Sequence, residues 1–63
     1  MKLVKEVVPE NGKYPRRYLL LAGVTDDDAH ILELCNMEHK PELDITEVDG
    51  SGNEHSYEAW MVI

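Results

Sequence analysis

The sequence contains little that would fix its structure covalently or direct it to a membrane. Its 63 residues include a single cysteine, Cys35, so no internal disulfide can form and a reducing compartment is the simpler interpretation. No apolar run approaches the roughly 20 residues needed to span a bilayer. The segment Met1–Val8 has no long apolar stretch and no small-residue cleavage site, so no secretory signal is predicted there. We therefore expect a soluble, cytoplasmic protein.

The chain is also too short for a large core. A chain of this length buries only about 60% of the surface that its unfolded form exposes, so marginal stability is expected. Hydrophobic residues make up 43% of the sequence, which suffices for one small core and argues against full disorder. One domain spanning residues 1–63 is predicted. Small domains often gain stability by oligomerising, so a homodimer is compatible with this composition.

Basic residues are scarce in the second part of the chain. Residues 1–25 contain five lysines and arginines against two acids, whereas residues 26–63 contain eleven acids against Lys40 alone, and the net charge is −7. Such an acidic segment repels nucleic acid and attracts basic surfaces. Solubility is the plain explanation of this charge, and binding to a basic partner is the functional one.

Short β-rich segments alternate with turn signals in the first part of the chain. Lys2–Val8 is rich in β-branched residues and is predicted to be a strand. Asn11-Gly12 predicts a tight hairpin turn, because both central residues of such a turn need positive φ. Pro15 indicates a twisted or edge region, and Arg16–Val24 is predicted to be a second strand.

The next segment predicts a helix. Thr25 is a suitable N-cap, and Asp28 three residues later completes a start that resembles a capping box. Three aspartates in the first turn complement the positive end of the helix dipole. Lys40 precedes Pro41, so the helix should end near His39. The side expected to face the core, at helical spacing, comprises Ile31, Leu34, Cys35 and Glu38, with Leu32 beside it.

The remaining residues predict a second hairpin. Leu43–Asp49 is the expected third strand, Asp49–Asn53 a turn, and Glu54–Ile63 an aromatic-rich fourth strand. The predicted order is ββαββ. This order favours a small α+β domain in which one helix covers one face of a four-stranded antiparallel sheet.

The hairpin segment Glu47–Glu58 resembles an EF-hand calcium loop. Calcium in such a loop is held by oxygen ligands at fixed positions. Glu47 departs from the pattern, because an aspartate normally occupies the first position. The alternative is a hairpin turn with Gly50 and Gly52 at positive φ. The matching positions 3, 5, 6 and 12 of the loop are held by Asp49, Ser51, Gly52 and Glu58.

Other motifs are weaker. Cys35 and His39 are spaced to share a helix face and reach zinc, but a zinc site would need two further ligands. Lys13–Tyr18 alternates basic residues with tyrosines and could contact phosphates and stack on bases. The acidity of the remaining chain opposes that function. We predict no catalytic residues, no cofactor site and no metal site, and expect no direct binding of nucleic acid or membrane.

The function that these features favour is that of a small acidic interaction protein without enzymatic activity. A carboxylate-rich surface could occupy the basic nucleic-acid-binding site of a partner protein, as expected of an inhibitor of the phage or mobile-element type directed at CRISPR, restriction or polymerase complexes. The alternatives are a calcium-responsive module and a self-associating structural subunit. Trp60 is expected either to be an apolar anchor of the interface or to close the core. The predicted partner-binding residues are Asp26, Asp27, Asp28, Asp44, Glu47, Asp49, Glu54, Glu58 and Trp60.

Overall fold

The computed structural model describes residues 1–10 and 16–63, which form one α-helix and a five-stranded antiparallel sheet. The predicted α+β class and antiparallel sheet are confirmed, whereas the four strands in ββαββ order are not. The predicted Asn11-Gly12 turn, Pro15 and the first part of the Lys13–Tyr18 segment lie outside the described residues. The elements are β1 (Lys2–Val7), β2 (Tyr18–Ala22), α1 (Asp26–Leu34), β3 (Met37–His39), β4 (Ile45–Val48) and β5 (Glu54–Val62), and a 3₁₀ turn at Pro41–Leu43 separates β3 from β4.

The fifth strand arises because one edge of the sheet is split. The sheet runs in the order β1, β2, β5, and both β3 and β4 pair with the far side of β5. β4 lies opposite the first part of β5, from Glu54 to Tyr57, and β3 lies opposite its last part, from Trp60 to Val62. β4 corresponds to the predicted third strand. β3 is the additional strand.

The prediction that the helix continues to near His39 is wrong. The helix ends at Leu34, and Asn36 adopts a φ of 60°. Asparagine is one of the few residues that enter the left-handed region readily, and it commonly ends helices in that conformation. Residues 37–39 then form β3. Pairing with β5 therefore outweighs the helical pattern of the local sequence.

The prediction of the buried helix side is also wrong. Leu32 is buried, whereas Ile31 and Leu34 are 54% and 72% exposed. The early end of the helix removes the turn that would have carried Glu38 on the predicted side. The buried cluster comprises Leu21, Leu32 and Trp60, against which Leu19, Val24, Ala29 and Met37 pack.

The alternation of β5 divides the sheet into two faces. Trp60 belongs to the cluster beneath α1, and this side is called the helix face. Ala59 and Met61 lie on the other side, called the reverse face, where Leu20 is opposite Ala59 and all three are buried. Within the described residues, no helix is long and apolar enough to cross a membrane.

Candidate functional site

Six carboxylates lie at one end of the sheet. β2 ends at Ala22, opposite Tyr57, and α1 begins four residues later. The hairpin of β4 and β5 extends past this end, because β5 already begins at Glu54. The start of the helix and the tip of the hairpin therefore share this end. We call it the acidic end, and it consists of Asp26, Asp27, Asp28, Glu47, Asp49 and Glu54.

The helix start assigns different roles to the three aspartates. The Asp28 backbone N–H donates to the Thr25 hydroxyl oxygen at 3.1 Å, and the Thr25 N–H donates to Asp28 Oδ2 at 3.2 Å. The predicted capping box is thereby confirmed. The bond from the Thr25 N–H lowers the pKa of Asp28. Asp26 and Asp27 are exposed and form no ion pair with any other described residue.

Asp49 organises the tip of the hairpin. Its Oδ1 accepts the backbone N–H groups of Ser51 at 2.9 Å and Asn53 at 3.0 Å, and its Oδ2 lies 3.0 Å from His55 Nε2. A carboxylate can only accept, so His55 Nε2 carries the proton in this contact. The contact with His55, followed by the bonds from Asn53 and Ser51, lowers the pKa of Asp49.

The segment Glu47–Glu58 forms a hairpin of β4 and β5. Glu47 lies opposite His55 on the reverse face, whereas Glu58 lies on the helix face, so these two carboxylates lie on opposite faces of the sheet. The alternative turn conformation is observed, with φ of 82° at Gly52 but no positive φ at Gly50. In the part of the chain that the structure describes, no group of three or more His, Cys, Asp and Glu residues could hold a metal ion.

Two further predicted acids belong to a second cluster, which surrounds His39. His39 Nε2 lies 2.9 Å from Asp44 Oδ2 and 3.5 Å from Glu58 Oε1. The His39 ring stacks on Trp60, with centroids 5.3 Å apart and planes 17° apart. Asp44 Oδ1 also accepts the Ala59 backbone N–H at 2.8 Å. Ala59 lies between the part of β5 that pairs with β4 and the part that pairs with β3. Asp44 thus accepts a backbone N–H group of β5 that neither strand reaches, and so stabilises the sheet.

Trp60 closes the core rather than anchoring an interface. It is 2% exposed, and its indole N–H donates to Glu58 Oε1 at 3.3 Å. Of the two expectations for Trp60, its burial favours closure of the core over an apolar anchor of an interface. Sequence reasoning also missed His39 as the centre of a cluster. No local signal could reveal it, because only the pairing of β3 with β5 brings His39 beside Glu58 and Trp60.

The opposite end of the sheet carries arginines. Arg17 Nη1 lies 2.9 Å from Glu6 Oε1, and Arg16 Nη1 donates to the Val62 carbonyl at 3.2 Å. Tyr18, the next residue, is opposite Met61 near the end of β5. The two guanidinium groups therefore lie at the end of the sheet opposite the acidic end, and Arg17 is paired there with the exposed Glu6.

No protein-family model matches the chain, and no similar curated protein or solved structure was found. The charge distribution and the edges of the sheet are therefore the features that point to a function.

Proposed function

We propose that this chain is a non-enzymatic interaction protein whose acidic end binds a basic, nucleic-acid-binding surface of a partner protein. The observation that best supports this proposal is the exposed, unpaired condition of four carboxylates in the acidic end. They are exposed and are not in ion pairs with residues 1–10 or 16–63, so their charge is available to an incoming cation. They are Asp26, Asp27, Glu47 and Glu54.

The charge difference between the two ends of the sheet supports an oriented encounter. Opposite charges steer association and fix the register of a complex more than they add raw affinity. The unpaired carboxylates of the acidic end would attract a basic surface more strongly than the opposite end, where Arg17 is paired with Glu6. Exposed charges are screened within about 8–10 Å at physiological salt, so binding should weaken as salt rises.

A surface that normally binds nucleic acid is the partner surface that this charge fits. Nucleic acid presents dense, regularly spaced negative charge, and the proteins that bind it neutralise phosphates with lysine and arginine. A compact acidic body on that surface would exclude the nucleic acid. The biological form of the proposal is an inhibitor of the phage or mobile-element type, with an anti-CRISPR, anti-restriction or polymerase-inhibiting role.

The test compares two triple variants that change net charge equally. One reverses Asp27, Glu47 and Glu54 to lysine in the acidic end. The matched control reverses three exposed acids towards the other end of the sheet: Glu10→Lys, Glu33→Lys and Glu38→Lys. Each protein is used in pull-downs from nuclease-treated extract, with low- and high-salt washes, after circular dichroism has confirmed folding.

We expect the native chain and the control to retain a basic nucleic-acid-binding protein that is released at high salt. The acidic-end variant should bind it at least about tenfold more weakly, since exposed pairs contribute about 0.2–1 kcal/mol each and reversal adds repulsion. Equal loss of binding in both variants would mean that net charge alone matters. Unchanged binding in the acidic-end variant would reject the acidic end as the interface.

A further inference from the structure

The two edges of the sheet differ in their protection against an added strand. β1 carries Lys2 and Lys5, and its register with β2 shifts between Leu3 and Lys5, so Val4 forms a bulge. Lysines and bulges on an edge strand oppose pairing with a further chain. β4 contains neither lysine nor proline, its register with β5 is unbroken, and all four of its residues are exposed.

The backbone of β4 presents hydrogen-bonding groups outwards. The Asp49 N–H donates to the Asn53 carbonyl at 2.9 Å, which fixes the alternation of the hairpin. In an antiparallel pair, the backbone N–H and C=O groups of one residue bond to the partner strand, and those of the next residue point away from it. Glu47 therefore bonds towards β5, and the N–H and C=O groups of Thr46 and Val48 point away from it. No strand among the described residues pairs with this side of β4.

The side chains along this edge select the charge of an added strand. Glu47 and Asp49 lie towards the reverse face, whereas Thr46 and Val48 lie towards the helix face. A strand that alternates basic and apolar residues would place its basic side chains beside the carboxylates and its apolar ones beside Val48. Pairing of β4 with β4 of a second copy is disfavoured in the register centred on Glu47, because two Glu47 carboxylates would lie directly opposite each other.

We propose that the β4 edge binds an extended basic segment of the partner by strand addition. Thr46 and Val48 provide the main-chain hydrogen bonds, and Glu47 selects for a basic side chain. This inference rests on the proposed function, because it specifies how part of the acidic end engages its partner.

The test uses a blocked eight-residue peptide that alternates valine and lysine, titrated into the full chain at low salt. Amide resonances of Thr46 and Val48 should shift, and exchange of their N–H groups should slow. Thr46→Pro removes the backbone N–H of Thr46, which points away from β5. Proline is tolerated at such an edge position because the hydrogen bonds between β4 and β5 remain. This variant should bind the peptide at least about tenfold more weakly. Thr46→Val is the matched control, because it keeps the N–H group and a β-branched side chain, and it should bind like the native chain.

A second peptide keeps the test informative if Thr46→Pro does not fold. A version with an N-methyl group on every residue has no backbone donor on either edge, so it cannot form the ladder and should not bind. Equal binding of this peptide, or of an alternating valine and glutamate peptide, would overturn the proposal. Concentration-dependent shifts at Thr46 and Val48 without peptide would assign the edge to a second copy and overturn it too. The pull-down comparison reports on the acidic end separately, so the proposed function can stand when strand addition fails.

Discussion

At the scale of single residues, identical carboxylates have different roles because their neighbours differ. Asp28 caps the helix, and Asp49 holds the hairpin tip. Asp44 accepts a backbone N–H of β5 at the gap between β3 and β4. Asp26 and Asp27 keep their charge exposed to solvent. A count of acids therefore overstates the number that are available to a partner.

The first prediction concerns Asp49. Its folded-state pKa is lowered from an unfolded value of about 3.9, chiefly by His55, so the ionised form stabilises the fold above that value. This stabilisation should be lost as the pH falls through the folded-state pKa. Asp49→Asn should lower the free energy of unfolding at pH 7 and reduce its dependence on pH between 5 and 2. Urea titrations followed by Trp60 fluorescence measure both quantities.

The control for this prediction is Glu47→Gln. Glu47 is a nearby exposed acid that makes no ion pair with a described residue, so its substitution removes one carboxylate without removing the Asp49 contacts. If Asp49→Asn retains the full acid dependence of the native chain, the hydrogen bonds at the hairpin tip do not stabilise the fold in solution.

At the scale of elements, the helix has one buried side that differs from the side its sequence suggests. Leu32 is 7% exposed and contacts the core, whereas Leu34, two residues later, is 72% exposed. Leu32→Ala should destabilise the fold by about 2–5 kcal/mol, as expected for a large-to-small change in a core. Leu34→Ala should change stability by no more than about 0.5 kcal/mol. Thermal and urea unfolding compare the two variants.

The same chemical change at both positions controls for helix propensity, since each variant replaces leucine with alanine in the same helix. The reverse order of effects would mean that the originally predicted side packs against the sheet. Equal, large effects would mean that Leu34 is covered in solution, as in a dimer.

At the scale of the whole molecule, the β1 edge carries features that are expected to oppose self-association. Exposed Leu3 and Val4 lie on the β1 edge, and Lys2 and Lys5 flank them. Replacing both lysines with valine should convert β1 into an apolar edge and produce concentration-dependent oligomers. Static light scattering and sedimentation velocity measure this association.

The double change Lys2→Ser and Lys5→Ser is the matched control, because it removes the same charge without adding apolar surface. We expect this control to associate no more than the native chain. If both double variants associate equally, charge alone keeps the molecules apart, and if neither does, the bulge at Val4 protects the edge by itself.

The sequence by itself determined the features that depend on neighbouring residues. The capping box follows from Thr25 and Asp28 three positions apart, and the turn at Asp49–Asn53 follows from its glycine and asparagine content. The alternation of β5 and the acidic charge of residues 26–63 also follow directly from the residue order. These features were predictable because the interactions that form them span only a few residues.

Only the tertiary structure decided the end of the helix, the existence of β3 and the burial of Trp60. Residues 37–39 could continue a helix or pair with β5, and their contacts with residues 60–62 favour the strand. The same pairing gathers the cluster around His39, and β4 pairs with no strand other than β5 among the described residues. The physical reason is that these choices depend on contacts between residues more than 20 positions apart in the sequence. The free energy of these contacts exceeds the modest helix propensity of the local sequence.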